Sequence, residues 1–278
     1  MNKTVERLND AKIQKGLTLK QLAELSGLTL GTVIKIMNGE VQKIKDDKLN
    51  KLASALDVTS DYLKNGVTEI REENMANDYY GLVKIACVSP PMRVADCDYN
   101  TEQIINEARR ANEKGVKIAV FPELCITGYT CGDLFFQEAL RASAVKNLRK
   151  LCLSTAELDI ICIVGLPVTD ELGKLYNTAA VVYRGEILGV VPKVNLPNYN
   201  EFMEKRLFAP FDGDNREICL FGKRVPFGSK LLFANEFYPE VRFAIEICED
   251  VWVANSPSIT HSAMGANAIF NLSASNET

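Results

Sequence analysis

Residues 160–168, Ile-Ile-Cys-Ile-Val-Gly-Leu-Pro-Val, form the longest uncharged apolar run of the chain. A membrane-spanning helix needs about 20 apolar residues, so the run is too short to cross a membrane. Its part 160–166 predicts a buried strand. Similar runs predict strands at residues 82–88, 117–121, 178–183, 241–247 and 268–272. Amphipathic stretches at 101–114 and 136–156 predict helices between them. Buried strands that alternate with helices indicate an α/β fold.

Residues 1–66 follow a different pattern, in which apolar side chains recur at helical spacing. Thr18 and Thr29 fit helix N-caps and Gly27 fits a C-cap, which together predict a helix, a tight turn and a second helix. We predict four helices and a short fifth at 59–63. The side chains expected to point inward are Val5, Leu8, Ala11, Ile13, Leu22, Ala23, Leu25, Val33, Ile36, Met37, Leu49, Leu52, Ala53 and Leu56.

The charge also differs between the two parts of the chain. Residues 1–66 carry 11 Lys and Arg against 8 Asp and Glu, whereas the whole chain has a net charge of −4. A basic front and an acidic remainder predict two domains with different partners. The predicted domains are 1–66 and 81–278, joined by a polar linker at 67–80.

Composition restricts the class of protein. Of the 278 residues, 47% are hydrophobic and 24% are charged, which is the balance of a globular protein. The N-terminus has no apolar segment of the kind that secretory signals carry. Eight cysteines without a CxxC pair predict reduced thiols in a cytoplasmic protein. The single histidine, His261, disfavours histidine-based metal sites and catalytic triads.

Residues 16–39 (GLTLKQLAELSGLTLGTVIKIMNG) closely resemble the helix-turn-helix of the Cro/repressor-type DNA-binding family. The resemblance implies that the second helix of this motif enters the major groove of DNA. The residues that it places at the DNA are Thr29, Gly31, Thr32 and Lys35.

The sequence departs from that family at two positions. Leu19 and Leu30 stand where its members often carry Gln, whose amide contacts phosphate and base. Both hydrogen-bonding groups are therefore absent. The alternative interpretation of residues 1–66 is a helical bundle that serves packing or dimerisation.

Three segments each place a reactive side chain just after a predicted strand: residues 120–129 (VFPELCITGY), 191–202 (VPKVNLPNYNEF) and 244–252 (AIEICEDVW). Partial desolvation there would raise the pKa of Glu123, so that it can accept a proton near neutral pH. Lys193 would stabilise an oxyanion more than in water. Cys248 beside a base can act as a nucleophile. Taken singly, each residue fits a simpler description: a solvated glutamate, a surface lysine and a core cysteine.

Glu123, Lys193 and Cys248, in that order and each in its own motif, resemble the nitrilase, or carbon–nitrogen hydrolase, superfamily. From about residue 78 onward the segments are most similar to the glutaminase domains of glutamine-dependent NAD synthetases. The resemblance implies a nitrilase-type αββα sandwich. It also implies that Cys248 attacks the side-chain amide of glutamine, that Glu123 transfers the proton, and that Lys193 and the next backbone N–H hold the oxyanion. No metal or histidine is implied in the reaction.

The resemblance assigns three further residues near the nucleophile. It implies that Glu201 orients Lys193, and that Tyr199 and Ser275 contact the glutamine. All three are therefore candidate substrate-binding residues.

The same resemblance implies a synthetase domain that uses ATP and Mg, adenylates nicotinate-adenine dinucleotide and receives the ammonia. Its Ser-Gly-Gly-x-Asp-Ser loop is absent from these 278 residues. We therefore expect no cofactor in this chain, and we expect glutamine and a NAD synthetase domain as partners, no membrane, and a homo-oligomer for the complete protein. In the family further strands and a basic residue would follow Thr278. The sandwich is thus expected to be C-terminally truncated, and this chain is expected to be inactive alone, with glutaminase activity below detection.

Two other functions compete with this one. One is a DNA-binding transcriptional regulator whose degenerate hydrolase domain senses glutamine, although such a sensor would not need Glu123, Lys193 and Cys248 together. The other is a different amidase of the same superfamily. The segments 199–202 and 248–252 favour the NAD synthetase branch over that amidase.

We predict that residues 1–66 alone bind duplex DNA too weakly to measure at physiological salt, with a shallow salt dependence, whereas a full-length oligomer that presents two recognition helices selects a palindromic site. Affinity for DNA comes mainly from phosphate contacts, and Leu19 and Leu30 cannot make them. Binding selection on random duplexes, with residues 1–66 and with the full chain, measures this. Tight sequence-specific binding by residues 1–66 would show that the loss of hydrogen-bonding groups at Leu19 and Leu30 does not prevent DNA binding.

Overall fold

The computed structural model describes residues 3–41, 44–56, 58, 60–65, 82–235 and 240–275. The linker predicted at 67–80 and the predicted helix start at Thr59 lie outside the described residues. The chain divides into two compact units, Met1–Leu82 and Val83–Thr278. The first is helical and the second is a mixed α/β unit, which confirms the predicted fold class.

The first unit consists of short helices with the predicted caps. They are α1 Lys3–Gln14, α2 Leu19–Ser26, α3 Leu30–Met37, α4 Asp46–Leu56 and α5 Ser60–Asn65. The side chains of Thr18 and Thr29 each accept a backbone N–H in the first turn of α2 and α3. Gly27 ends α2 with φ at 64°, a conformation that costs glycine little because it lacks a Cβ.

Two side chains that were predicted to point inward are exposed instead. Ile13 is 69% exposed and Leu25 is 61% exposed. Each lies two residues after a buried alanine, Ala11 or Ala23. At about 3.6 residues per turn, a step of two residues carries a side chain to the far side of the helix. The apolar pattern therefore included two residues that do not belong to the core.

The second unit alternates helices and strands. Its α-helices are α6 Cys97–Glu113, α7 Glu138–Ser154, α8 Glu204–Leu207 and α9 Pro257–Ala263, with 3-10 helices at Tyr129–Phe136 and Cys248–Val251. Its strands are β1 Ile85–Cys87, β2 Ile118–Val120, β3 Ile161–Thr169, β4 Leu175–Tyr183, β5 Glu186–Pro192, β6 Arg216–Leu220, β7 Lys223–Phe227, β8 Phe233–Ala234, β9 Arg242–Ile247 and β10 Ala268–Leu272.

The predicted apolar runs correspond to β1 to β4, β9 and β10, and the strand predicted before Lys193 corresponds to β5. Strands β6, β7 and β8 were not predicted. Strands β6 and β7 expose charged residues and bury only some of their positions. Such strands contain no continuous apolar run. A search for fully buried strands therefore does not find them.

Within the described ranges the strands form a seven-stranded sheet in the order β1-β2-β3-β4-β5-β7-β6 and a three-stranded sheet in the order β10-β9-β8. Strands β2 and β3 are parallel, and β4 is antiparallel to both β3 and β5. Strands β2 and β5 therefore run in the same direction and end at the same edge of the sheet. That edge receives the segments that carry Glu123 and Lys193.

The two faces of the larger sheet are covered by different layers. Val182 of β4 packs in the hydrophobic cluster that includes α6 and α7, whereas Val181 packs with Ile245 of β9. Successive side chains of a strand point to opposite faces. Behind β9, Glu246 accepts the backbone N–H of Ser258 at the start of α9. The order of layers is thus α, β, β, α. No helix among the described residues is long and apolar enough to cross a membrane.

Gly165 of β3 allows the segment after β2 to cross the sheet closely. A Cβ at this position would lie 2.2 Å from the backbone nitrogen of Leu124 and 2.7 Å from the carbonyl oxygen of Pro122. The Gly165 carbonyl also accepts the N–H of Ile126 at 3.1 Å. Glycine at position 165 therefore lets the backbone around Glu123 lie directly against β3.

We predict that Gly165→Ala lowers the free energy of unfolding by about 1–3 kcal/mol, because the backbone of residues 122–124 must move to admit the methyl group. Urea unfolding of the full chain measures the loss. Gly213→Ala is the matched control, since its Cβ would meet the Phe211 ring at an ordinary 3.7 Å. Equal unfolding midpoints for both variants and the parent would show that residues 122–124 can accommodate a methyl group at position 165 without loss of stability.

Candidate active site

Three segments at strand ends converge on one site. Glu123 follows β2, Lys193 follows β5 directly, and Cys248 follows β9 directly. Cys248 has a φ of 46°, which is unusual for a residue with a side chain, and it opens a 3-10 helix. This sharp turn makes the strand end at the cysteine.

The centre of the site is a buried cluster of charged side chains. The Lys193 Nζ lies 2.7 Å from Glu123 Oε1 and 2.7 Å from Glu204 Oε1. Lys193 is 0% exposed, and both glutamates are 2% exposed. Neither Glu123 nor Lys193 is therefore a solvated surface residue. Charges removed from water in this way require close partners, and each of the three has one.

The structure corrects the assignment of the carboxylate that orients Lys193. That residue is Glu204, at the start of α8, and not Glu201, which is exposed. The two glutamates lie three residues apart, on either side of the turn that leads into α8. The loop conformation that decides between them has no local signature in the sequence.

Sequence reasoning also missed two residues that contact the carboxylates. Asn177 of β4 donates through Nδ2 to Glu123 Oε1 at 2.7 Å and lies 3.4 Å from Glu204 Oε2. The Tyr129 hydroxyl donates to Glu204 Oε1 at 2.8 Å. Both side chains come from positions distant in sequence. Tyr129 belongs to the quoted segment 120–129. Asn177 lies just before the apolar run predicted at 178–183, and no motif in the sequence marks it as a functional residue.

Burial and charge shift the pKa values of this cluster. Burial raises the pKa of Glu123 above its ordinary range, although the Lys193 charge and the hydrogen bonds from Lys193 and Asn177 act in the opposite direction. Burial would lower the pKa of Lys193, but the charges of Glu123 and Glu204 outweigh it and raise that pKa. Lys193 thus stays charged, while Glu123 is placed to exchange a proton nearer neutral pH.

Cys248 adjoins this cluster through the segment that follows β10. Ser273 Oγ donates to Cys248 Sγ at 3.4 Å, and the next residue, Ala274, donates its N–H to Glu123 Oε2 at 3.2 Å. Ser275 Oγ lies 3.7 Å from the same sulfur. Burial raises the pKa of the Cys248 thiol, the Glu123 charge raises it further, and the Ser273 hydrogen bond and the Lys193 charge lower it.

Asp250 connects the turn of Cys248 with the loop after Lys193. Its carboxylate accepts the N–H of Ile247 at 3.1 Å and, from the other segment, the N–H of Asn195 at 2.7 Å. The Asn195 side chain donates to it as well, at 2.9 Å. This buried carboxylate therefore fixes the two strand ends relative to each other.

A cleft of about 240 Å³ opens onto the nucleophile. Its lining residues are Pro197, Tyr199, Asn200, Glu201, Phe202, Cys248, Glu249, Trp252 and Ser275. The Tyr199 hydroxyl donates to Glu249 Oε2 at 2.7 Å. The sequence-predicted Tyr199, Glu201 and Ser275 thus share one cleft with Cys248, and two carboxylates give it an acidic wall.

The predicted DNA-facing residues lie along α3 in the first unit, from its N-cap Thr29 to Lys35 in its last turn. Thr29, Gly31 and Lys35 are exposed, and Thr32 is half-buried. The Thr29 and Thr32 hydroxyls are 2.8 Å apart, so both contribute to the helix cap.

The two leucines that replace Gln in this motif differ in their surroundings. Leu19 packs against the hydrophobic core of the helical unit, whereas Leu30 is 43% exposed. The substitution at position 19 therefore serves packing, while the one at position 30 leaves an apolar side chain on the surface of α3.

No group of three or more His, Cys, Asp and Glu side chains in the described part of the chain is arranged to hold a metal ion. The assembled groups are a thiol, a carboxylate base, an ammonium and a hydrogen-bonding cleft. Such a set can perform nucleophilic attack on an acyl group with proton transfer and oxyanion stabilisation.

Known proteins match both parts of the chain. A carbon-nitrogen hydrolase family model matches residues 84–278, and a helix-turn-helix model matches residues 8–63. Over 196 residues the chain is 38% identical to the glutamine-dependent NAD(+) synthetase of Mycobacterium tuberculosis, which is 70% of this chain and 29% of that protein.

Solved structures show the same likeness. The glutamine-dependent NAD(+) synthetase from Cytophaga hutchinsonii matches with a TM-score of 0.61 and 28% identity, over 69% of this chain and 30% of that one. An amidase from a Nesterenkonia species shares the fold, with a TM-score of 0.53 and 22% identity over 69% of this chain and 64% of that one. The chain thus spans less than a third of each synthetase.

We predict that iodoacetamide modifies Cys248, Cys87 and Cys219 in the folded protein and leaves the other cysteines unmodified until it unfolds. Cys87 and Cys219 are exposed, and Cys248 lines the cleft. Burial raises the pKa of Cys125 and of Cys162 to about 12, so both remain thiols.

Labelling of Cys248 should quicken as the pH rises, because the thiolate is the reacting form. Burial raises the pKa of this thiol, so the increase continues to a higher pH than for an ordinary thiol. Mass spectrometry of peptides after timed labelling measures each site. Cys248 that stays unmodified while Cys125 reacts would contradict the described cleft.

Proposed function

Because the chain belongs to the carbon–nitrogen hydrolase family, we propose that residues 81–278 hydrolyse the side-chain amide of glutamine to glutamate and ammonia, as the glutaminase part of a glutamine-dependent NAD(+) synthetase. The support for this branch is the 38% identity to a synthetase of that name. The observation that carries the chemistry is the buried contact of Lys193 with Glu123 and Glu204 beside Cys248.

In the proposed reaction, Cys248 Sγ attacks the amide carbon of glutamine while Glu123 takes the thiol proton. Glu123 then returns this proton to the leaving nitrogen, and ammonia departs from a glutamyl thioester on Cys248. Glu123 then takes a proton from water, whose oxygen attacks the thioester carbon; the C–S bond breaks, glutamate leaves, and Glu123 returns the proton to Cys248 Sγ. The raised pKa of Glu123 suits a group that must both accept and return a proton.

The oxyanion of each tetrahedral intermediate needs donors that are in place beforehand. Lys193 supplies a charge that Glu123 and Glu204 hold in position. The backbone N–H of Glu249, which follows the positive φ of Cys248, is the second proposed donor. Because the site is buried, both interactions are stronger than they would be in water.

The cleft suits an amino acid amide. Glu201 and Glu249 give its wall a negative charge that attracts the ammonium group of glutamine. We assign substrate contacts to Tyr199, Ser275 and Glu201, which line the cleft together with Cys248. This charge distinguishes glutamine from a short aliphatic amide, the substrate class of the competing amidase hypothesis.

The partners proposed beyond glutamine rest on the family resemblance of the sequence. A NAD synthetase domain, using ATP and Mg, would consume the ammonia, and the complete protein would be a homo-oligomer. This work would take place in the cytoplasm, where the eight unpaired cysteines would stay reduced. The chain itself is proposed to need no cofactor.

A second proposed function belongs to residues 1–66, which would bind duplex DNA. The helix-turn-helix match and the exposed Gly31 and Lys35 on α3 favour it. If glutamine is bound but never hydrolysed, the regulator with a sensing hydrolase domain becomes the better description.

Although the resemblance implies an inactive chain, Glu123, Lys193 and Cys248 are assembled within the described residues. We therefore predict that the 278-residue protein releases glutamate and ammonia from glutamine in equal amounts, slowly, and that Cys248→Ala reduces the rate by more than about 1000-fold because no other thiol can replace the nucleophile. Coupled detection of glutamate measures turnover. Acid-quenched mass spectrometry detects the glutamyl thioester on Cys248.

Cys219→Ala, at an exposed cysteine of β6, is the control and should keep the parent rate. Glutamate release by Cys248→Ala at the parent rate would remove the assignment. Faster hydrolysis of a short aliphatic amide than of glutamine would favour the competing amidase.

A further inference from the structure

We infer that Asn177 is a positioning residue for the proposed hydrolysis, and that its side-chain amide directs the proton of Cys248 to one oxygen of Glu123, Oε2. The inference rests on the proposed function. It concerns a residue of β4 that contributes no reacting group.

Asn177 contacts every charged member of the buried cluster. Its Nδ2 lies 2.7 Å from Glu123 Oε1 and 3.4 Å from Glu204 Oε2. Its backbone carbonyl accepts the N–H of Lys193 at 2.9 Å. Because Asn177 is 1% exposed, water does not compete for these contacts. A single residue of the central strand therefore holds the base, its counterion and the second carboxylate.

The orientation of the amide is decided by its neighbours. Both neighbouring groups are carboxylates, which accept hydrogen bonds when they are ionised. The Nδ2 atom must therefore face them, and the amide oxygen must point away.

The two oxygens of Glu123 are consequently unequal. Oε1 accepts from Asn177 Nδ2 and from Lys193 Nζ, both at 2.7 Å. Oε2 accepts only the longer contact from the N–H of Ala274, at 3.2 Å, among the described residues. A proton arriving at Glu123 displaces the weaker contact first. It therefore binds at Oε2.

The segment that contacts Oε2 also contacts the nucleophile. Ala274, which donates to Oε2, follows Ser273, whose hydroxyl donates to Cys248 Sγ at 3.4 Å. Asn177 and Lys193 thus occupy Oε1, and Oε2 is left to exchange a proton with the thiol. Without the amide, Glu123 loses a strong donor and can rotate about its side-chain bonds.

Removing the amide should shift the acid limb of the pH profile. The N–H donor stabilises the ionised carboxylate, so its loss raises the pKa of Glu123, and the base stays protonated up to a higher pH. We expect an upward shift of about one pH unit, and about tenfold slower reaction on the acid side of the profile. A residue that only stabilised the fold would leave the limb where it is.

The experiment compares Asn177→Leu and Asn177→Ala with the parent in the full 278-residue protein. Leucine keeps most of the side-chain volume and alanine leaves a cavity, so the two differ in unfolding free energy but lose the same donor. Asn147→Leu is the matched control. Asn147 is also a 1% exposed amide, but it lies on α7 and bonds to Asp98 and Ser143.

Two readouts are measured against pH: the rate of glutamyl thioester formation from glutamine, and the rate of iodoacetamide labelling of Cys248. The second needs no glutamine, because Glu123 accepts the thiol proton in both reactions. We expect both Asn177 variants to shift the acid limb upward by the same amount, and Asn147→Leu to leave it unchanged despite a lower unfolding free energy.

The outcomes separate this inference from the proposed function. A labelling limb that stays at the parent pH in a folded Asn177 variant overturns the role of Asn177. An equal shift in Asn147→Leu overturns it too, since a distant loss of stability would then be sufficient. If the labelling limb shifts but the parent forms no glutamyl thioester, the role of Asn177 stands and the glutaminase function fails.

Discussion

The site depends on one buried ammonium. Lys193 lies between Glu123 and Glu204 at 2.7 Å from each, and none of the three is appreciably exposed to water. Charges in such a place cost a large free energy unless each has a partner at close range. The fold must therefore hold three segments in closely defined positions so that these contacts form. The segments are the end of β2, the end of β5 and the first turn of α8. Two neutral donors complete the cluster: Tyr129 donates to Glu204, and Asn177 donates to Glu123 and to Glu204.

Backbone packing brings these segments together. Gly165 lets the segment of Glu123 lie directly on β3, where any Cβ would collide with backbone atoms. On the other side of the cluster, Asp250 binds the N–H groups of Ile247 and Asn195 and so joins the turn of Cys248 to the loop after Lys193. The backbone segments that carry the reacting side chains are thus held in fixed positions, which keeps the reacting groups oriented. This rigidity suits a mechanism in which one carboxylate moves a proton both ways.

The two units of the chain combine different kinds of recognition. The second unit encloses its charges, and its cleft exposes mainly one acidic wall to a small substrate. The first unit places its candidate contacts on the surface of α3, and Leu30 adds an exposed apolar side chain there. Glutamine chemistry depends on desolvation, whereas DNA recognition depends on accessible donors and positive charge. Their presence in one chain links a nitrogen donor to a DNA-binding module in the proposed function.

Local sequence determined the parts of this protein whose cause is local. Thr18, Thr29 and Gly27 predicted the ends of α2 and α3, because caps depend on neighbouring backbone groups. Continuous apolar runs predicted many of the buried strands. The three short motifs that contain Glu123, Lys193 and Cys248 identified these residues through their joint resemblance to one family.

Tertiary structure alone decided which residues meet. It placed Glu204 and not Glu201 on Lys193, and it brought Asn177 from the middle of β4 to the base. It also turned Ile13 and Leu25 toward solvent, although their apolar character predicted burial. Contacts of this kind join residues far apart in the sequence, such as Lys193 and Glu123, which are 70 positions apart. No local pattern encodes such a contact, because it depends on how strands and loops pack rather than on the residues beside each partner.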